Sequence, residues 1–420
     1  MNTMQTIGAV LFAIALLHTF SAKSFEILAR RYPRHHGLFH LLGEVEVVFG
    51  FWAFVLVVVM AFVAGPQNAI AYAETQQYTE PLFVFVVMVV AASRPVLEFV
   101  RRLLEALARL APGRAEVALA WLGLSIVPLT GSLITEPAAM TIAALMLAPL
   151  VFRDPVPEWL KYGALGVLFV NVSIGGTLTS YAAPPVLMVA GTWQWDSAFM
   201  AATFGWKAAL AVAINASVIC ALLRPHLPSR IADGASAPSV AADAPVPLFV
   251  SAIHVAFLAA VVLLAHHPVL FLGVFLFFLG YATAYSRFQS PLILKEALLV
   301  GFFLAGLVVL GGMQQWWLQP IVSRLEPVAL FFGALALTAV TDNAALTYLG
   351  SLIDGITPQA QYMLVAGAVA GGGLTVIANA PNPAGASLLR AGFRDASISA
   401  IGLLLGALPP TAVAALAFFL

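Results

Sequence analysis

The chain has 420 residues, of which 62% are hydrophobic and only 9% are charged, and its mean hydropathy is +0.98. About a quarter of the residues of an ordinary soluble protein are charged, so this composition excludes an ordinary soluble protein, whose surface must be covered with polar and charged side chains. Basic and acidic residues number 19 each, which leaves no net charge to attract nucleic acid or an acidic partner. The one cysteine, Cys220, excludes an intramolecular disulfide framework.

Apolar stretches of about twenty residues recur along the chain without the alternation that membrane β-strands show. We therefore predict an all-α polytopic membrane protein that interacts with the lipid bilayer and with no nucleic acid. The predicted spans cover residues 5–22, 41–64, 82–98, 162–191, 199–223, 247–265, 268–286, 292–312, 362–389 and 396–420.

Two further apolar regions, 117–151 and 327–353, are too long for one helix, and polar residues interrupt each at its centre. We predict a re-entrant helical hairpin in each region. The stretch 224–246 is rich in Ala, Pro, Ser and Asp, which predicts a flexible cytoplasmic linker. This linker would separate an N-terminal repeat, 1–223, from a C-terminal repeat, 247–420.

The basic residues test this layout, because Lys and Arg concentrate on cytoplasmic loops. With both termini outside, the basic residues of the loops fall on the cytoplasmic side, with Arg324 as the exception, and the outer loop 65–81 has none. Residues 99–114 have the spacing of an amphipathic helix on the membrane surface. Each half then has five spans, one of them broken. Because five is odd, we predict two inverted repeats, which are typical of secondary transporters.

The centres of the two predicted hairpins resemble each other. Residues 134–141, ITEPAAMT, align with residues 340–347, VTDNAALT, with four identities in eight. This alignment places Glu136 opposite Asp342. Carboxylates are rare and costly in membrane segments, so their occurrence in both segments points to an internal repeat with a functional centre.

A second pair of segments also aligns: residues 175–185 match residues 371–381 with six identities in eleven. Their Gly and Pro residues interrupt the helical hydrogen bonds, and in hydrocarbon the freed backbone groups need partners, which an ion can supply. Close helix packing is the alternative explanation for the glycines alone. Hydroxyl, amide and carbonyl oxygens suit a small cation. The candidate ligands in these broken helices are Thr177, Thr179, Thr375, Asn379 and Asn382.

These features resemble the ion transporter superfamily, which includes NhaD-type sodium/proton antiporters, arsenite permeases and sodium-coupled dicarboxylate transporters. Within it, the chain is most similar to the bacterial sodium/proton antiporter family, above all at residues 341–343 and 371–383. The resemblance implies a homodimer in the bacterial cytoplasmic (inner) membrane, in which a transport domain moves against a scaffold like an elevator. The dicarboxylate branch carries Ser-Asn-Thr at its hairpin tips, whereas this chain has Thr-Glu-Pro and Thr-Asp-Asn.

That difference bears on the substrate, because a fixed carboxylate would repel an anion and attract a cation in a low-dielectric site. Burial disfavours the ionised form of a carboxyl group, so a proton and a sodium ion can compete for it. We therefore predict exchange of sodium or another monovalent cation for protons by alternating access, with no cofactor. Glu136 and Asp342 are the predicted exchange carboxylates. The remaining predicted site residues are Thr135, Thr341 and Asn343, with Lys207, Glu80 and Asn171 as secondary candidates.

Two alternatives belong to other classes of function. The same fold could carry a small anion or an organic acid, coupled to sodium or protons, because broken helices also offer backbone amides to an anion. An intramembrane enzyme is disfavoured, since the chain contains neither H-E-x-x-H nor G-x-S-x-G.

Overall fold

The computed structural model describes residues 3–19, 22–110, 114–228 and 245–420, and every regular element in these parts of the chain is helical. The predicted linker 224–246 falls mostly on residues 229–244, which lie outside the described residues. The α-helices are α1 (Thr3–Thr19), α2 (Ala22–Arg31), α3 (His36–Gly43), α4 (Val45–Val63), α5 (Pro66–Glu74), α6 (Thr79–Ala91), α7 (Arg94–Leu110), α8 (Ala115–Leu124), α9 (Ile126–Ile134), α10 (Glu136–Leu147), α11 (Glu158–Gly175), α12 (Pro184–Trp193), α13 (Ser197–Met200), α14 (Trp206–Leu223), α15 (Leu248–Leu263), α16 (Pro268–Ala284), α17 (Leu294–Gly311), α18 (Gln315–Val322), α19 (Pro327–Thr338), α20 (Asn343–Ser351), α21 (Pro358–Gly371), α22 (Asn382–Leu389) and α23 (Ala400–Phe418).

Proline marks where many of these helices begin. Helices α5, α12, α16, α19 and α21 all start with Pro, whose missing N–H would have no intrahelical partner at that position. A π-helical turn, Ala201–Gly205, joins α13 to α14, so the two form one helix of 27 residues. Helices α5 and α18 occupy segments that the apolar pattern predicts as loops, because that pattern detects long spans and not helices of eight or nine residues.

Three helices of the described residues are long and apolar enough to cross a membrane: Ser197–Leu223, Leu294–Gly311 and Ala400–Phe418. The number rises to six if each of three bent helix pairs is one span. One of these pairs is α6 with α7, which meet at 65° and cover the predicted third span and surface helix. Large apolar side chains such as Phe62, 87% exposed, fit a lipid-facing exterior. The chain is thus a multi-pass membrane protein in outline, and the count of ten spans stays a prediction.

The two halves of the chain interlock through close helix crossings. A Cβ atom on Gly306 of α17 would lie 2.3 Å from the backbone nitrogen of Gly50 on α4. A Cβ atom on Gly166 of α11 would lie 2.4 Å from the carbonyl of Gly406 on α23. Small residues let helix backbones approach this closely in membranes. Each crossing therefore joins a helix of the first half to a helix of the second.

Two helical hairpins meet two broken helices inside this assembly. Hairpin 1 is α9 with α10, and hairpin 2 is α19 with α20; break 1 is residues 176–183, between α11 and α12, and break 2 is residues 372–381, between α21 and α22. The first arms, α9 and α19, lie against α11 and α21 of their own half. The second arms, α10 and α20, lie against α22 and α12 of the opposite half. Both tips therefore converge on the breaks.

The α4–α17 crossing gives a test of this arrangement. We expect Gly306→Ala to lower the free energy of unfolding by about 1–3 kcal/mol, because the added methyl group would overlap the backbone of α4. Gly273→Ala on α16 is the matched control, since a Cβ atom there has no neighbour within 4 Å. The apparent melting temperature of the detergent-purified protein measures the difference. Equal melting temperatures for the two variants would contradict the crossing.

Candidate functional site

The tip of hairpin 1 is a single residue, Thr135, with φ 76° and ψ 151°. A β-branched residue rarely adopts a positive φ, so the tip carries backbone strain of the kind found at functional sites. Glu136 follows as the first residue of α10, and Pro137 favours a helix start at this point. The local sequence thus fixes the place where the Glu136 side chain leaves the backbone.

Glu136 is fully buried, with 0% of its surface exposed. Its Oε2 atom accepts a hydrogen bond of 2.8 Å from Asn379 Nδ2, and its Oε1 atom has no hydrogen-bond partner. No basic side chain of the described residues lies within 4 Å of it. The other buried carboxylate among the described side chains, Glu116, lies 3.8 Å from Arg114 Nε. An isolated buried carboxylate is costly unless a proton or a cation neutralises it.

Two asparagines, Asn379 in break 2 and Asn382 at the start of α22, bond to the carboxylate and to the unwound backbone. Asn382 donates to the carbonyl oxygens of Gly372 at 2.8 Å and Thr375 at 2.9 Å, both of which lie in the unwound segment. Asn379 uses its amide nitrogen for Glu136 in the same way. The amide oxygens of Asn379 and Asn382 are buried without hydrogen-bond partners. In each asparagine, the amide nitrogen therefore makes the hydrogen bonds and the amide oxygen has no hydrogen-bond partner.

The tip of hairpin 2 brings Asn343 to the same place. Asn343 is 0% exposed, its backbone N–H donates to Ala378 O at 3.1 Å, and its Nδ2 donates to Ser173 Oγ at 3.4 Å. Its Oδ1 atom is buried without a hydrogen-bond partner. Thr341 donates its hydroxyl hydrogen to a carbonyl of its own helix, α19, and is half-buried. Asn343 is thus the residue of this tip that reaches the buried centre.

Asp342 caps α20. Its Oδ1 atom accepts from the backbone N–H groups of Ala344 at 2.8 Å and Ala345 at 3.3 Å, and the side chain is half-buried. Asp is among the favoured N-cap residues because it satisfies amides that the first helical turn leaves unpaired. The structure therefore places the two predicted exchange carboxylates in different environments.

Hydroxyl groups hold break 1 against hairpin 1. Ser132 Oγ donates to Gly175 O at 2.7 Å and accepts from the backbone N–H of Leu178 at 2.8 Å. Thr179 donates to the carbonyl oxygen of Ser132 at 2.7 Å, and Thr177 donates to a carbonyl of α11 at 2.6 Å. The predicted threonines of break 1 thus stabilise the unwound backbone directly.

In each half of the chain, a residue at a hairpin tip lies beside a glycine of a break. A Cβ atom on Gly176 would lie 2.4 Å from Glu136 Oε1, and one on Gly372 would lie 3.0 Å from Asn343 Nδ2. Gly176 and Gly372 are equivalent in the sequence alignment of the two breaks. These contacts therefore pair Glu136 with Asn343.

A second pair of hydrogen bonds gives the same register. Thr179 bonds to the carbonyl oxygen four residues before Glu136, at 2.7 Å. Thr375 bonds to the carbonyl oxygen four residues before Asn343, at 2.8 Å. The register differs by one residue from the sequence alignment, which places Glu136 opposite Asp342. The reason is the helix start: α10 begins at its acid, whereas α20 begins one residue after its acid.

Several buried oxygen atoms without hydrogen-bond partners occur at the tips and breaks. They are Thr135 Oγ1, Glu136 Oε1, Thr338 Oγ1, Asn343 Oδ1, Asn379 Oδ1 and Asn382 Oδ1. Hard oxygen atoms of this kind are ligands for a small hard cation. In the described part of the chain, no group of three or more His, Cys, Asp or Glu side chains could hold a metal ion. The available donor set is one carboxylate with amides and hydroxyls.

The secondary candidates lie elsewhere. Lys207 donates to the hydroxyl of Tyr362 at 3.0 Å, and no carboxylate of the described residues lies within 4 Å of it. Glu80 lines a small cavity beside His266 at the start of α6. Asn171 donates to a carbonyl at the end of α8 at 2.8 Å. The structure therefore brings none of the three to the tips.

Sequence reasoning missed three residues with hydroxyl groups at this centre. Ser132 holds break 1, Ser173 accepts from Asn343 and donates to Val369 O at 2.8 Å, and Thr338 is fully buried. Their positions in the sequence could have identified them, because Ser132 and Thr338 precede the hairpin tips and Ser173 precedes a pair of glycines.

The contact of break 1 with Glu136 is testable. We expect Gly176→Ala to displace the Glu136 carboxylate, because the added Cβ atom would lie 2.4 Å from Oε1 and 2.9 Å from Cγ. The variant should fold, and sodium chloride, relative to choline chloride, should raise its apparent melting temperature less than that of the wild type. Gly333→Ala is the control, since a Cβ atom there has no neighbour within 4 Å. Undiminished stabilisation by sodium in Gly176→Ala would contradict the contact.

Comparison with known proteins places the chain among transporters. Residues 3–420 match the model of the family described as "Putative Na+/H+ antiporter". No curated protein matches the chain. The crystal structure of the Alcanivorax borkumensis YdaH transporter is similar with a TM-score of 0.45 and 13% sequence identity, over 89% of this chain and 96% of that chain. The family match covers nearly every residue, so the chain belongs to this Na+/H+ antiporter family and is a membrane carrier and not an enzyme.

Proposed function

We propose that the protein is a secondary active antiporter that exchanges sodium, or another monovalent cation, for protons. The observation that supports this most strongly is Glu136, a fully buried carboxylate with no basic partner among the described residues and with one free oxygen. Such a group is stable only when a proton or a cation cancels its charge. One side chain would therefore serve both substrates in turn.

In the sodium-loaded state, Glu136 would be ionised and would bind the cation together with neutral oxygens of its neighbours. The donors nearest to it in the hydrogen-bond network are Asn379, which bonds to Glu136, and Thr135, which precedes it. Asn343 is linked through Ala378, the residue before Asn379. In the proton-loaded state, the proton on Glu136 replaces the cation. Because both loads neutralise one carboxylate, neither can bind without loss of the other.

The proposal includes an elevator-like form of alternating access in a homodimer of the inner membrane, with both termini outside. Its transport domain would contain the hairpins and broken helices, and the scaffold would contain α1, α4, α6, α15, α16 and α17. Hairpin residues such as Met140 and Ala344 belong to the same buried cluster as the scaffold helices, so the two domains would pack directly against each other. The repeat boundaries at 1–223 and 247–420 remain part of this proposal.

Transport of an anion fits this centre less well. An anionic substrate would meet the negative charge of Glu136, and no basic side chain of the described residues lies within 4 Å of this carboxylate to offset the charge. A coupled anion carrier is therefore an outcome of the experiment below and not a second proposal.

Removal of the carboxylate tests the assignment directly. In proteoliposomes with a pH-sensitive dye, we expect Glu136→Gln to reduce sodium-dependent proton movement to the level of empty vesicles, because the amide cannot exchange a proton for a cation. Asp342→Asn should retain part of the activity, since an asparagine keeps the acceptor that caps α20. Glu326→Gln, which removes an exposed carboxylate at the start of α19, is the control and should match the wild type.

The same assay is then repeated with a panel of monovalent cations and with small anions and organic acids. Full activity in Glu136→Gln would overturn the assignment of this residue. Proton movement that requires an added anion and no particular cation would replace the antiporter with the anion carrier.

Competition between proton and sodium gives a second prediction. Because protons occupy Glu136 at low pH, the sodium concentration for half-maximal exchange should fall as the pH rises from about 6 to 9. The shift is measured by titrating sodium at a series of equal internal and external pH values. A half-maximal concentration that is independent of pH throughout this range would exclude a shared carboxylate.

A further inference from the structure

Glu136 and Asn343 occupy equivalent positions at the two tips. Each is the first residue of the second arm of its hairpin, each is 0% exposed, and each lies beside an equivalent glycine of a break. The two side chains differ in charge and are close in shape. The centre thus carries a carboxylate on one side of the repeat and an amide on the other.

We infer that Asn343 determines the valence of the transported cation, because it is the neutral counterpart of Glu136 and leaves a single carboxylate in the centre. This inference rests on the proposed cation exchange and adds the residue that sets the charge of the transported cation. With one carboxylate, the site selects monovalent over divalent cations.

The reason is charge balance in a buried site. One sodium ion or one proton cancels the charge of Glu136, whereas a divalent cation would leave one positive charge without compensation. An uncompensated charge in a dry environment is strongly unfavourable. Asp342 is the nearby acid, but its Oδ1 atom accepts from Ala344 and Ala345 at the start of its own helix, where its charge offsets the helix dipole.

Asn343 is coupled to Glu136 by a short path. Its backbone N–H donates to Ala378 O at 3.1 Å, and the next residue, Asn379, donates to Glu136 Oε2 at 2.8 Å. The amide nitrogen of Asn343 makes only a long bond of 3.4 Å to Ser173 Oγ, and its Oδ1 has no hydrogen-bond partner. The isosteric change Asn343→Asp therefore sacrifices little packing and adds one carboxylate to the centre.

The first experiment measures cation binding without transport. Detergent-purified protein is heated in sodium chloride, calcium chloride or choline chloride at matched ionic strength. We expect sodium but not calcium to stabilise the wild type. In Asn343→Asp, the calcium concentration for half-maximal stabilisation should fall by about tenfold or more, since two carboxylates balance a divalent charge. Gln361→Glu adds an acid to α21 near its start and is the control, which should keep the preference of the wild type.

The second experiment moves the acid from one tip to the other. Glu136→Gln abolishes exchange under the proposed function, and the double variant Glu136→Gln with Asn343→Asp restores one carboxylate at the equivalent position. We expect the double variant to recover sodium-dependent proton movement in proteoliposomes above the level of Glu136→Gln. Size-exclusion profiles confirm that the variants compared are folded.

The outcomes separate the two levels of the proposal. The inference is overturned if calcium stabilises the wild type as strongly as sodium does. It is also overturned if Asn343→Asp folds with the cation preference of the wild type and the double variant shows no sodium-dependent proton movement. If sodium stabilises the wild type but the wild type moves no protons, the proposed antiport is wrong, whereas the inference on monovalent selectivity is unaffected. If Asn343→Asp does not fold, the wild-type binding preference alone decides.

Discussion

The structure depends on one electrostatic constraint, a carboxylate that is buried completely with no positive side chain of the described residues to balance it. Glu136 keeps one oxygen on Asn379 and leaves the other unpaired. In a low-dielectric interior a carboxylate in this arrangement is costly unless a proton or a cation neutralises it, because the described side chains supply no fixed positive charge within 4 Å. The hairpin tips and the breaks of the surrounding helices bring polar groups such as Asn379 and Asn343 to this carboxylate.

Asparagine suits the breaks because its amide carries a donor and an acceptor on one rigid plane. At Asn382 the nitrogen satisfies two carbonyls of the unwound backbone, and at Asn379 it satisfies Glu136. In both residues the oxygen remains buried and unpaired. A hydroxyl such as that of Thr179 has one hydrogen, which a hairpin carbonyl takes. The asparagines therefore stabilise the breaks without consuming the atoms that a cation would use.

The sequence predicted an all-helical chain correctly, because long apolar runs are local signals, whereas the number of spans and the inverted repeat stay predictions. It predicted that hairpin tips and broken helices carry the polar groups, and the structure places Glu136, Asn379 and Asn343 together. It did not predict the partner of Lys207, which is a tyrosine 155 residues away. Contacts over such separations depend on helix crossings, and no local pattern encodes them.

The contacts of the two tips differ by one residue from the sequence alignment of the two halves, and the cause of this difference is chemical. Alignment matched acid with acid, but Asp342 is a helix cap and Glu136 is the first residue of a helix. In hairpin 2 the Asp342 carboxylate accepts hydrogen bonds from backbone N–H groups at the start of α20, and the next position carries the neutral side chain of Asn343. In hairpin 1 Thr135 makes no side-chain hydrogen bond to the start of α10. The partial positive charge of that helix end therefore acts on Glu136 itself. A difference of one residue in the helix start thus separates an acid that stabilises the fold from an acid that would carry the substrate.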